Sequence, residues 1–255
     1  MKTAHTRHIS ASALLLAALW SSGCDKSTEP AQTSGELSMT AKYTTSGTAL
    51  LKSSGISPES TAEVAAVDSI RITKARFVLR DIKFKTAGED SASFKATPIV
   101  LTLNLSETPQ TIAVVPMKFG TYRRMEFDVH RVEQSIISNL PAADQSQFAD
   151  FLAGERYSII VEGVVYRNAS ATGTTFIYRS KVDAKQKIDL NPELVITEGS
   201  TTVNATILIS SAQWFRAQNG SLVDPTVSQS EGVIDENLKS SIRVFKDNNK
   251  DGSKD

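Results

Sequence analysis

The last nine residues, Asp247-Asn248-Asn249-Lys250-Asp251-Gly252-Ser253-Lys254-Asp255, carry oxygen donors at the first, third, fifth and ninth positions of one short run. Carboxylate and carboxamide oxygens at that spacing converge on a hard cation such as calcium, and glycine at the sixth position permits the sharp turn between them. Asp247, Asn249, Asp251 and Asp255 are therefore candidate metal ligands. The same run also reads as a solvated polar tail. A second constellation, Glu126, Asp128 and His130, places three ligand or acid-base groups on one side of an alternating segment. Its bland reading is an ordinary exposed strand face, neutralised by Arg123, Arg124 and Arg131. Trp214-Phe215, beside Asn219-Gly220 and ahead of Asp224-Pro225, offers an aromatic platform for a sugar or a protein partner. The competing reading, which is favoured, makes Trp214 a core anchor at one end of the fold.

The acidic run resembles the first nine positions of an EF-hand-type calcium loop. Lys254 stands at the eighth position, where that pattern has an aliphatic residue, and the twelfth-position Glu is missing. The resemblance implies weak calcium affinity, about 10⁻⁴ to 10⁻³ M. Residues Ile234, Leu238, Ser241-Ile242 and Phe245 form a helical stripe that would supply the entering helix.

Cys24 is the single cysteine of the 255-residue chain. It follows Ser21-Ser22-Gly23, an apolar run from Ala11 to Trp20, and a basic start with Lys2 and Arg7. That order reads as a signal peptide over residues 1–23. It resembles the bacterial lipoprotein signal, in which small residues precede a cysteine that receives a diacylglyceryl group; Ser21 stands where that pattern usually has Leu. The resemblance implies lipidation of Cys24 and attachment to a membrane of the bacterial cell envelope. The apolar run is about half the 20 residues needed to cross a bilayer. A plain secretory peptide with a free thiol is the alternative.

These groups need a scaffold, and period-two alternation supplies most of it. Residues 24–35 are polar and read as the lipidated N-terminus and a flexible tether, holding a domain at 36–246 about 18 Å from its anchor. Leu37, Met39, Ala41 and Tyr43 make the first inward row, and Ile70 and Ile72 begin the next. The phase shifts around Lys74-Ala75-Arg76, implying a bulge or turn, before Phe77, Leu79, Ile82 and Phe84 resume it. Ile99 to Leu103, Met125 to Val129, Thr175 to Val182 and Thr202 to Ile209 are further expected strands. Tyr157 to Tyr166 is apolar on both sides, as a covered central strand would be. Ala142 to Ala153 has helical spacing, Thr45 to Ala66 reads as a long loop, and Asn219-Gly220 as a hairpin turn with both residues at positive φ. The expected fold is mainly β, an antiparallel β-sandwich with one or two short helices, including a C-terminal helix.

The stretch Asp68 to Lys85, DSIRITKARFVLRDIKFK, and the later FGTYRRMEFDV, with Gly120-Thr121-Tyr122, resemble uncharacterised bacterial lipoproteins with a prealbumin-like sandwich. The same stretch is similar to periplasmic lipoproteins associated with copper handling. Such a role would draw on His, Met or Cys ligands. After residue 23 the sole histidine is His130.

Removing residues 1–23 takes two basic residues from a balance of 28 against 28 and leaves a formal charge of −2, with the signs interspersed. Nucleic acid is not an expected partner. No Gly-x-Ser-x-Gly elbow, His-Glu-x-x-His pair or phosphate-cradling glycine loop is present. The leading expectation is a non-enzymatic, membrane-anchored binding or structural module whose partner is a glycan or an envelope protein. A periplasmic cation-handling lipoprotein is second, and a carbohydrate-active enzyme third.

Overall fold

The computed structural model describes residues 33–45, 50–52, 66–88 and 91–255. Cys24, the segment before it and most of 25–35 lie outside them. The described residues form strands β1 (Ser34–Thr44), β2 (Leu50–Lys52), β3 (Val67–Thr86), β4 (Ser91–Lys95), β5 (Ile99–Thr102), β6 (Gln110–Lys118) and β7 (Gly120–Val129). Helices α1 (Gln134–Ile137), α2 (Ala142–Gln145) and α3 (Ala149–Leu152) follow, then β8 (Ile159–Arg167), β9 (Thr174–Ser180), β10 (Ala184–Ile196) and β11 (Thr202–Ser210). Helix α4 (Glu231–Ser240) and β12 (Ile242–Lys246) are the last two regular elements described. The fold is the expected β-rich, two-sheet arrangement.

One sheet has the order β12-β11-β1-β6, and the other runs β10-β7-β3-β8-β9 with β2, β4 and β5 also on β3. Pairing is antiparallel except between β1 and β11, which run parallel. Such a pair needs a crossover rather than a hairpin, and here most of the chain intervenes.

Strand β3 is the spine of the larger sheet. Val78 donates its N–H to Ser158 O (2.8 Å) and accepts from His130 N (3.4 Å). One residue's N–H and C=O point to the same side of a strand, so β8 and β7 lie end to end along one edge of β3. Leu103 N reaches Ala75 O (2.9 Å) on the opposite edge, where β5 pairs. The phase shift is a bulge within a continuous strand: register against β8 slips between Ile72 and Lys74 because Ile72 and Ala75, three apart, both turn inward. A second slip against β7 spans Arg80 to Lys83, with Asp81 at φ 55°.

Inward rows from both sheets interdigitate: Leu37, Met39, Ala41 and Tyr43 face the same core as Phe77, Leu79, Ile82 and Phe84. A smaller cluster of Val78, Val132, Ile137, Phe148, Phe151 and Ile160 sits on the other side of β3 and β8. The β7–β8 connection, carrying α1 to α3, supplies its cover. That is why β8 is apolar on both faces near Ile159 to Val161. The helix expected over Ala142 to Ala153 is split by a 3-10 turn at Ser146–Phe148. Phe148 ends that turn at φ −92°, ψ −4°. Among the described residues, all members of both clusters lie between residues 37 and 244.

Three expectations need correction. The C-terminal helical stripe ends at Ser240, and its second half, Ile242 to Lys246, is strand β12 paired with β11. Ser241 turns the chain, its hydroxyl donating to Leu238 O (2.7 Å), after which Ile242 and Val244 alternate into the core. At the Asn219-Gly220 turn, Gly220 alone has positive φ, 83°. Gly220 N bonds Ala217 O and Ala217 N bonds Ser221 O, both at 2.9 Å, so one left-handed residue suffices and the flanks make only an Arg216–Leu222 bridge. Within the segment expected as a loop from Thr45 to Ala66, β2 pairs with β3; residues 46–49 and 53–65 lie outside the described ones.

Candidate functional site

The C-terminal run is entered by a strand and folds back over the outer face of the smaller sheet. Alternation turns Ser38, Thr40, Asn204 and Thr206 away from the core, yet each is at most 2% exposed. Asn204 Nδ2 donates to Asp247 O (2.8 Å), and Thr206 Oγ1 donates to Asp247 Oδ2 (2.6 Å). Asp247 is fully buried. Its carboxylate also accepts Gly252 N (2.9 Å, Oδ2) and Asp251 N (3.2 Å, Oδ1). Gly252 has φ 78° and lies against the Lys42 side chain, where a β-carbon would collide. Lys42 Nζ donates to the Asp251 and Gly252 carbonyls at 3.1 and 3.3 Å.

Asn249 Oδ1 accepts Asp251 N (3.1 Å), Asp251 Oδ1 accepts Ser253 N (2.7 Å), and Asp255 Oδ2 accepts Asn248 N (2.8 Å). The four sequence candidates thus share one closed loop, and the solvated-tail reading fails at Asp247. Their oxygens, however, are engaged by the protein's own donors. Among the described residues no group of three or more His, Cys, Asp or Glu side chains is placed to hold a metal ion.

The second constellation is not brought to a common point. Glu126 is 5% exposed and meets Lys83 Nζ at 3.5 Å, while Asp128 meets Arg80 Nε at 3.8 Å. The ring nitrogens of His130 face the Arg131 carbonyl oxygen (2.5 Å) and the Asp183 carboxylate (2.7 Å). Both are acceptors, so no nitrogen lone pair is turned toward Asp128 or Glu126. Alternation foretold the shared face, but Lys83 and Arg80 come from β3 and Asp183 from the β9–β10 connection.

Trp214 and Phe215 are both 0% exposed, which removes the exposed-platform reading. Trp214 packs against Tyr43 and Phe77, with ring centroids 6.2 and 5.8 Å apart, and Phe215 against Phe176 at 5.6 Å. Asn237 of α4 holds this loop through bonds of 2.7 Å to Gln213 O and Arg216 O. The core-anchor reading is the one realised.

Two features had no separate signal in the sequence. Arg167, at the end of β8, makes a fork to Asp224: Nε to Oδ2 at 2.5 Å and Nη2 to Oδ1 at 2.8 Å. Arg76 of β3, 8% exposed, joins Asp150 of α3 (2.7 Å) to Glu162 of β8 (3.1 Å) and lies over the Phe151 ring. Arg76 holds the Asp150 carboxyl below its ordinary range. A cleft of ≈ 410 Å³ lies between β5 and the α2 region, lined by Val100, Gln110, Leu140, Asp144 and Phe148. Another of ≈ 330 Å³ runs beside β9, past Tyr157, Ile177, Arg179, Lys181 and Glu231. Ile177 in it is 52% exposed.

No protein-family model matches the chain, and no curated protein does. Among solved structures, the chain is similar to MbnP from Methylosinus trichosporium at 10% sequence identity and a TM-score of 0.40, over 70% of this chain and 76% of that one.

Proposed function

We propose that the chain is a lipid-anchored protein of the bacterial cell envelope, a β-sandwich that works as a binding or structural module. The carrying observation is the position of Cys24. It is the lone cysteine, it closes an apolar run behind a basic start, and it precedes by ten positions β1, the first strand of the described domain. Residues 25–32 would then be the tether, at most about 26–29 Å when fully extended. Support for binding rather than catalysis comes from Glu126, Asp128 and His130, each tied to a different partner instead of facing one reacting point. A glycan or envelope protein is the proposed ligand class, and the cleft beside β9, with Tyr157, Arg179 and exposed Ile177, is the surface offered to it.

Cys24→Ser tests the anchor. The wild-type mature N-terminal peptide should carry acyl mass, and the variant should lose it and leave the membrane fraction. An unmodified wild-type peptide would refute the reading.

Calcium at Asp247, Asn249, Asp251 and Asp255 is a second reading, favoured by Gly252 at φ 78° in a loop already closed over Asp247. A bound cation would have to take oxygens now engaged by Asp251 N, Ser253 N and Asn248 N. The discriminating measurement compares wild type and Asp247→Ala by thermal unfolding, with and without calcium at about 1 mM. Asp247→Ala strands the Thr206, Gly252 and Asp251 donors and should lower stability by about 1–3 kcal/mol in either condition. Calcium binding would add a rise in Tm to the wild type alone; equal melting with and without calcium would leave the loop a purely structural latch.

A further inference from the structure

The outward side chains of β7 lie between those of β3 and β10 in three cross-strand rows: Arg80, Asp128 and Lys185; Lys83, Glu126 and Lys187; Lys85, Arg124 and Asp189. Asp81, in the bulge of β3, adds a carboxylate 3.5 Å from Arg80. Six cations share these rows with four carboxylates, and Asp183, paired with His130 at 2.7 Å, continues the face as a fifth, leaving a surplus of one. The carboxylates of β7 are taken by β3, through Lys83 to Glu126 and Arg80 to Asp128, and Asp189 is taken by Arg124 at 2.7 Å. Lys185 and Lys187 remain. They are two positions apart on β10, exposed on the same side, and make no ion pair or hydrogen bond with a described side chain.

We propose that this face docks on the anionic phospholipid headgroups of the membrane to which the chain is tethered. The proposal takes its membrane from the reading of Cys24. Thr33 accepts a hydrogen bond from Phe119 N (3.1 Å), so the chain enters the domain at the start of β7. The first charged row, at Arg124, is five residues along, about 17 Å away. That distance is shorter than the full reach of residues 25–32, about 26–29 Å, so the anchor and the face can meet one surface together. Acyl chains hold more firmly when a cationic patch adds a second signal. Each lysine close to an anionic surface strengthens partitioning about five-fold. Lysines on an outermost strand also deter strand addition, and that role alone would give no affinity for lipid.

The test is co-sedimentation of residues 33–255, which belong to one compact unit holding both described core clusters and lack Cys24, with phosphatidylcholine vesicles and with vesicles containing about 30% phosphatidylglycerol. The domain is expected to pellet with the anionic vesicles only, and to be released at about 0.5 M salt. Lys185→Gln/Lys187→Gln should weaken partitioning about 25-fold, five-fold for each lysine, with Tm unchanged. Absent or salt-insensitive pelleting, equal pelleting with neutral vesicles, or a double variant that binds like wild type would overturn the proposal. So would capture by dextran sulfate without vesicle binding, which assigns the face to a polyanion instead. Because Cys24 is not in the tested chain, a negative result here leaves the acyl-mass test of the anchor standing, and the reverse also holds.

Discussion

Trp214→Ala is expected to destabilise the domain by about 3–5 kcal/mol and to lower Tm by roughly 6–20 °C for a domain of this size. The side chain is 0% exposed and touches both sheets, meeting Tyr43 of β1 and Phe77 of β3. Truncation removes its transfer free energy and leaves a cavity that the sheets, pinned by their ladders, can fill only in part. Trp214 Nε1 has no hydrogen-bond partner among the described residues. Trp214→Phe therefore breaks no hydrogen bond to them and should lose less than the alanine variant. Urea unfolding of residues 33–255 and both variants measures this order. A surface platform for sugars would behave differently, changing stability by no more than about 0.5 kcal/mol; that result for Trp214→Ala would contradict the buried position.

Asp224→Asn is expected to cost about 3 kcal/mol, the lower end for breaking a buried ion pair. Asp224 is 6% exposed and receives the two-pronged guanidinium of Arg167, whose side chain is 20% exposed and can regain some water. The substitution leaves the shape but turns an amide N–H₂ toward a guanidinium, donor against donor, while Thr226 N and Oγ1 lose their charged acceptor at 2.9 and 2.6 Å. Burial alone would raise the Asp224 carboxyl, but the bonds from Arg167 and Thr226 outweigh it and hold the group below its usual range. A carboxyl whose folded value lies below its unfolded one, about 3.9, stabilises fully above the unfolded value and loses that contribution as pH falls through the folded one. The gap between wild type and Asp224→Asn should thus be constant from neutral pH to about 5 and narrow below about 4. Urea midpoints across that range provide the check, and a gap unchanged at about pH 3 would contradict the proposed pairing.

Local periodicity explains how much of this was legible. β1, β9 and β11 are readable because every second side chain meets the same core, and Ile72 followed by Ala75 announces a bulge in the same way. Ile242 to Phe245 misled because a stripe at helical spacing over so few residues also fits alternation; only β11, waiting alongside, made it a strand. Asn219-Gly220 carried a hairpin signal, but Asn237 and the Arg216 side chain hold the loop in another turn.

Among the site candidates, spacing alone gathered Asp247, Asn249, Asp251 and Asp255 into one loop, since all lie within one short run. It could not show that the lid lies on Thr206 and Lys42, nor that Trp214 lies inside. The sequence by itself determined the strand rows, the oxygen-rich run and the solitary Cys24, because each is a matter of residue type and local period. Tertiary structure alone decided which charge meets which: Arg167 with Asp224, Lys83 with Glu126, His130 with Asp183, Lys42 with the last turn. Ion pairs and hydrogen bonds act over a few ångströms between residues far apart in the chain, and no period encodes their partners.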